Sequence, residues 1–126
     1  GFKKSINRAM SVKCADEYIV VNATDAVAMY EEVMEATEGE LADVVINVVN
    51  IPNTEMASIM ACKDGGLVYF FSMATSFTKA ALGAEGVGKD VNMLIGNGYT
   101  KGHANVALQV LRDDERIMKL FAELYA

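Results

Sequence analysis

Two apolar runs, at residues 44–49 and 67–71, stand out in the hydrophobic pattern because neither alternates polar with apolar positions. Strands with such runs are buried on both faces, as in a parallel sheet that helices cover. A short stretch with helical spacing and a glycine pair separate the two runs. The pattern therefore predicts one β-α-β unit over residues 43–76, around which the rest of the chain is organised.

The segment between the two runs carries the signals of a short helix. Asn53 and Thr54 can cap its start, and Glu55 falls in its first turn. Gly65 and Gly66 are predicted to end it. Its apolar stripe comprises Met56, Ile59 and Met60.

The region before this unit predicts two helices and one strand. Residues 2–13 place apolar side chains at helical spacing with basic side chains opposite, which is typical of an amphipathic helix. Residues 17–22 read as a strand. Thr24 or Asp25 can then cap a helix that ends near Gly39.

The region after the unit continues the alternation. Residues 91–96 predict a further strand, and residues 104–125 predict a helix that Asp113 or Asp114 interrupts by capping it again. Four strands thus alternate with helices. The order indicates an α/β fold in three layers, with a mostly parallel sheet of about four strands flanked by helices.

Composition and charge narrow the class of protein. A chain of 126 residues with a hydrophobic fraction of 52% suits a single domain over residues 1–126. No apolar stretch approaches the roughly 20 residues of a membrane span, and the first residues lack the apolar segment of a signal peptide, so we expect a soluble, cytoplasmic protein. The formal net charge of -6 argues against a nucleic-acid partner, since phosphate binding needs a basic patch.

The two cysteines indicate no special chemistry. Cys14 and Cys62 lie in different elements and form no C-x-x-C pair, so reduced thiols in the core are the expected reading. Zinc would need more ligands than these two and His103. We therefore predict no metal site.

The carboxyl ends of the predicted strands are the first place to look for a ligand, because parallel sheets bind ligands there. Residues 72–76, SMATS, put backbone N–H groups and small hydroxyls at a strand-to-helix turn, where a carboxamide or anion can be held. The alternative is that Thr75 or Ser76 only caps the next helix. The residues by themselves favour the cap.

Two glycine-containing segments are weaker candidates. The G-x-G-x-x-G phosphate motif is absent from the chain, and the similar string at residues 83–88 has the reverse spacing, so we predict a loop there. Residues 96–103 include Tyr99, Lys101 and His103, which are capable of proton transfer. A flexible surface turn remains the better interpretation of that segment.

The order of these elements, with the string FFSMATSFTKAALGAEGVGKD at residues 70–90, resembles the second half of the coenzyme domain in medium-chain dehydrogenase/reductases. Residues 54–104 resemble more specifically the L-erythro-3,5-diaminohexanoate dehydrogenase family. That resemblance implies a Rossmann domain and NAD as the cofactor. It also implies oxidative deamination of 3,5-diaminohexanoate to 5-amino-3-oxohexanoate, a step of lysine fermentation.

The same resemblance implies where the nicotinamide half of the cofactor lies, but it identifies no catalytic residue. It places three strand-end segments around the nicotinamide. Their residues are Val48, Val49 and Asn50; Phe71, Ser72, Met73 and Ala74; and Gly96, Asn97 and Gly98.

The resemblance also implies that the chain is the C-terminal half of an NAD-binding domain. The usual strand order of such a sheet is 3-2-1-4-5-6, in which residues 17–22 correspond to strand 3 and residues 43–49 to strand 4. The first strands, the glycine-rich turn and the substrate domain have no counterpart here. We therefore expect a fragment that is inactive alone, with a second copy of itself or the missing N-terminal half as partner and a small amino acid as the full enzyme's substrate. The alternatives are a free-standing α/β module that binds a ligand or partner without catalysis, and a subunit whose sheet a separate chain completes.

Overall fold

A computed structural model describes residues 2–96, 98 and 100–125. The chain divides into two compact units, one of Val21–Asn97 and the other of Gly1–Val20 with Gly98–Ala126. The expectation of a single domain stays a prediction. In chain order the elements are α1 (Phe2–Val12), α2 (Ala26–Ala36), β1 (Ala42–Asn47), α3 (Glu55–Ala61), β2 (Cys62–Phe70), α4 (Phe77–Gly86), β3 (Asn92–Ile95), α5 (His103–Asp113) and α6 (Glu115–Tyr125).

The three strands form an open parallel sheet in the order β1-β2-β3. Asn47 pairs with Phe70, and Phe70 pairs with Ile95, so the three strands end at the same edge of the sheet. Helices α3 and α4 pack on one face, around the buried side chains of Ile59, Val68 and Ala80. This arrangement confirms the predicted α/β class. The predicted burial on both faces is wrong for β1, because apolar side chains of that strand are exposed on the face away from these helices.

The predicted strand at residues 17–22 is wrong, so the sheet has three described strands rather than about four. A strand exists only beside a hydrogen-bonded neighbour, and none of the described residues forms such a ladder with this segment. Tyr18 makes a local contact instead, because its hydroxyl accepts a hydrogen bond from the backbone N–H of Ala15 at 3.0 Å.

Gly65 and Gly66 lie inside β2 and do not end α3, which is a second correction. The register moves from Ala42 opposite Cys62 to Val44 opposite Leu67, so β2 bulges at this point. Gly65 has a φ of +79°. A Cβ atom on Gly66 would lie 2.5 Å from the Cys62 sulfur. Both glycines are therefore explained by the bulge.

Two of the predicted helix caps, those of α2 and α4, are confirmed by side-chain hydrogen bonds, and that of α3 is not. Asp25 caps α2, since its Oδ1 accepts a hydrogen bond from the Ala28 N–H at 3.0 Å. Ser76 caps α4 through the Lys79 N–H. Thr54 precedes α3, but its side chain makes no cap hydrogen bond.

Part of the predicted loop at residues 83–88 is helical, because α4 continues to Gly86. Gly83 faces α3, and a Cβ atom there would lie 3.2 Å from the Met56 Cε. The missing side chain lets the two helices approach each other closely. This packing stabilises helical structure that the glycines alone disfavour.

The other unit contains α1, α5 and α6. Asp114 separates α5 from α6, as predicted, and its Oδ1 accepts a hydrogen bond from the Arg116 N–H at 2.9 Å. The hydrogen bond from the Arg116 side chain lowers the pKa of the Asp114 carboxyl to about 2. Val12 at the end of α1 is buried.

Cys62 lies in the core, as predicted, whereas Cys14 is exposed, so the core assignment is wrong for Cys14. Burial raises the pKa of the Cys62 thiol. No helix in the described part of the chain is long and apolar enough to cross a membrane.

Candidate functional site

A depression of about 410 Å³ lies at the carboxyl ends of β1 and β2. Its lining consists of Val48 and Asn50 after β1, and Phe71, Ser72 and Met73 after β2. All five were predicted as site residues. The fold brings them together because neighbouring parallel strands end at the same edge of the sheet.

Ala74 belongs to the tight turn that follows β2. Its N–H donates to the Ser72 Oγ at 3.1 Å, and the Thr75 N–H donates to the Ser72 carbonyl at 3.2 Å. The Thr75 Oγ1 is buried and has no hydrogen-bond partner in the described structure. The turn therefore presents Ser72, Met73 and Ala74 at the start of the connection to α4.

Val49 and Gly96 do not line this depression. Val49 is turned back toward β1, since its N–H donates to the Asn47 Oδ1 at 3.0 Å. Gly96 continues the edge at the end of β3, where its N–H donates to the Phe70 carbonyl at 3.2 Å. Asn97 lies outside the described residues, and Gly98 belongs to the other unit.

Asn47 is the residue at this edge that the sequence interpretation missed. It is 5% exposed, and its Nδ2 donates to the Thr54 Oγ1 at 2.8 Å and the Ser58 Oγ at 2.9 Å. Its Oδ1 accepts from Val49. Every polar atom of the side chain is therefore paired, as burial of an amide requires. The available signal was one amide within the apolar run at 44–49.

The backbone carbonyl of Asn47 organises the exit of β2. It accepts hydrogen bonds from the N–H groups of Phe71 at 3.0 Å and Ser72 at 3.2 Å. Two consecutive donors on one carbonyl oxygen turn the chain away from the strand direction. Asn47 thus contacts both segments that line the depression.

Glu55 is a second buried polar group beside this edge. It is 3% exposed, and its Oε1 accepts a hydrogen bond from the Ser76 N–H at 3.0 Å. The Ser76 Oγ in turn accepts from the Lys79 N–H. The first turn of α3 is therefore tied to the first turn of α4.

The structure describes only two of the three proton-transfer candidates in the loop at residues 96–103. His103 begins α5, and its Nδ1 lies 2.7 Å from the Thr100 carbonyl oxygen. Tyr99 lies outside the described residues, and Lys101 is exposed. In the described ranges, no three His, Cys, Asp or Glu side chains are grouped so that they could hold a metal ion.

The hydrogen bonds of the turn limit what the site can do chemically. The N–H groups of Phe71, Ser72, Ala74 and Thr75 all donate within the protein. Carbonyl oxygens have two lone pairs and can still accept from a ligand. The walls from Val48, Phe71 and Met73 are apolar, so the depression suits a flat apolar ring that carries a donor group.

The parallel sheet, the crossover helices and a depression at the strand ends fit the Rossmann-like class of α/β proteins. Similarity to particular proteins is more specific. The chain is 52% identical over 123 residues to L-erythro-3,5-diaminohexanoate dehydrogenase of Acetoanaerobium sticklandii, covering 98% of this chain and 36% of that protein. It is 50% identical over 107 residues to the Fusobacterium nucleatum protein of the same name, covering 85% of this chain and 31% of that protein.

These alignments confirm the resemblance on which the sequence interpretation relied. The chain spans about a third of the length of the curated relatives it matches. No protein-family model matches the chain.

Proposed function

We propose that this chain is part of the coenzyme domain of an NAD-dependent dehydrogenase that acts on 3,5-diaminohexanoate. The main support is the alignment of 98% of the chain, at 52% identity, with a dehydrogenase of that name. The position of the depression at the strand ends agrees with this role, because dinucleotides bind there in parallel α/β sheets. The reaction is oxidative deamination, with transfer of a hydride to the coenzyme.

The depression at the end of β1 and β2 is the proposed site of the nicotinamide ring. Val48, Phe71 and Met73 would contact the faces and edge of the ring. Carbonyl oxygens in the turn at residues 71–74 would accept hydrogen bonds from the carboxamide NH₂, since the N–H groups of Phe71, Ser72 and Ala74 already have acceptors. NAD supplies the hydride acceptor, and these residues orient its ring.

The diphosphate of NAD would be held by another part of the full enzyme. Diphosphates bind at a glycine-rich turn and a helix N-terminus, and the 126 residues contain no G-x-G-x-x-G motif. The relatives are about three times longer than the aligned segment. The chain alone would then be catalytically incomplete.

The proposed nicotinamide site is tested by Ala74→Phe in the full-length enzyme that contains this chain. A phenyl ring in the turn would displace the carboxamide, so we expect a higher KM for NAD and a lower kcat with the fold intact, because loops tolerate bulk better than strands. Ala81→Phe is the matched control, since Ala81 lies exposed on α4. Unchanged NAD kinetics in Ala74→Phe would remove this turn from the site.

A further inference from the structure

Asn47 is a buried residue that contacts both segments lining the depression. Its side-chain Oδ1 accepts from Val49 after β1, while its carbonyl accepts from Phe71 and Ser72 after β2. The two segments are more than twenty residues apart along the chain. Asn47, which does not line the depression, therefore links the two segments beyond the end of the β1–β2 ladder.

Helix α3 holds Asn47 in place. The Nδ2 group donates to Thr54 before the helix and to Ser58 within it, at 2.8 and 2.9 Å. The Ser58 hydroxyl donates to the Thr54 carbonyl at 2.9 Å, so the hydroxyl is oriented to accept from the amide. Both hydrogens of the Asn47 amide are fixed, which leaves one orientation of the side chain.

We propose that Asn47 is a positioning residue for the nicotinamide ring: it acts through the backbone of residues 49, 71 and 72 and does not touch the coenzyme. This inference rests on the proposed function. Small displacements of a bound reactant lower the rate of a transfer step strongly. Loss of the amide should therefore affect the nicotinamide end of the coenzyme more than the adenosine end.

The variant Asn47→Asp keeps the shape and the acceptor for Val49 but removes both Nδ2 donors. ADP-ribose, which lacks the nicotinamide ring, separates the two ends of the coenzyme. In the full-length enzyme we expect Asn47→Asp to raise the Kd of NAD on the order of tenfold and to lower kcat. The Kd of ADP-ribose should change by less than about twofold, since that ligand has no nicotinamide ring to enter the depression at the ends of β1 and β2.

Two further variants keep the test decisive. Ser58→Ala removes one acceptor of the Asn47 amide. It should raise the Kd of NAD relative to that of ADP-ribose, by a smaller factor than Asn47→Asp does. If Asn47→Asp does not fold, the result for Ser58→Ala tests the positioning role alone. Ile59→Val changes a buried neighbour of Ser58 but removes none of the hydrogen bonds of the network, so it should leave the ratio of the two constants unchanged.

The outcomes separate this inference from the proposed function. If Ala74→Phe raises the ratio of the NAD and ADP-ribose constants but Asn47→Asp and Ser58→Ala do not, the positioning role is overturned and the proposed site remains. If Ala74→Phe also leaves the ratio unchanged, the proposed site fails and the positioning role fails with it. Equal weakening of both ligands by Asn47→Asp and Ser58→Ala would show a purely structural role and overturn the inference.

Discussion

The carboxylate of Glu55 accepts a hydrogen bond from the backbone N–H of Ser76 across 21 residues of chain, at 3.0 Å. Glu55 is 3% exposed, so water cannot readily replace its carboxylate as the acceptor for the Ser76 N–H. The contact joins the start of α3, after the first strand, to the start of α4, after the second. It therefore holds together the two helix starts beside the proposed coenzyme site.

Removal of the Glu55 acceptor should destabilise the protein. Glu55→Ala leaves the Ser76 N–H unpaired, and we expect a loss of about 1–3 kcal/mol in the free energy of unfolding, measured by urea denaturation. Glu55→Gln is the matched control, because its amide oxygen can still accept, and it should lose less. Equal midpoints for the two variants would show that this hydrogen bond does not contribute.

Removing the hydroxyl of Ser76 and removing that of Thr75, both just before α4, should affect the stability of the protein differently. Ser76→Ala removes the N-cap of α4 and should lower stability by about 1 kcal/mol. Thr75→Val removes a buried hydroxyl that has no partner in the described structure, so it should leave stability unchanged or raise it. Thermal midpoints of the two variants are the measurement. A larger loss in Thr75→Val than in Ser76→Ala would contradict the assignment of the cap to Ser76.

Features that depend on neighbours in the chain could be predicted from the sequence. The caps at Asp25, Ser76 and Asp114 use hydrogen bonds within three residues, so composition and spacing suffice to place them. Strands β1 and β2 were also predictable, because short apolar runs bounded by turn residues are typical of strands, although β1 is exposed on one face.

Features that depend on distant partners were not predictable from one sequence. Residues 17–22 have strand composition but no strand beside them among the described residues, and strand formation depends on that partner more than on propensity. Asn47 bonds to Thr54 and Ser58, seven and eleven residues away. In the sequence it reads only as an interruption of an apolar run.

Exposed apolar side chains on the sheet lead to a prediction about association. Val44 is 53% exposed, Ile46 61% and Leu94 55%; the first two lie on β1 and the third on β3, which are the outer strands of the described sheet. Edge strands and apolar sheet faces of this kind favour pairing with another chain. We expect the isolated chain to self-associate, as measured by light scattering over a range of concentrations.

A charge on this surface should weaken the association. Ile46→Lys is the test, and Val27→Lys on α2 is the control because Val27 is 66% exposed there. Only the first variant should shift the mass toward the monomer. A monomeric mass for the unmodified chain at high protein concentration would count against the prediction.

The central claim, that this chain supplies only the nicotinamide side of a divided coenzyme site, is tested most directly by calorimetric titration with NAD. The titration is run on this chain and on the full-length enzyme that contains it. The account predicts saturable binding to the full-length enzyme and weak or no binding to the chain alone, because the diphosphate contacts lie elsewhere. Micromolar binding of NAD by the chain alone, or none by the full-length enzyme, would contradict it.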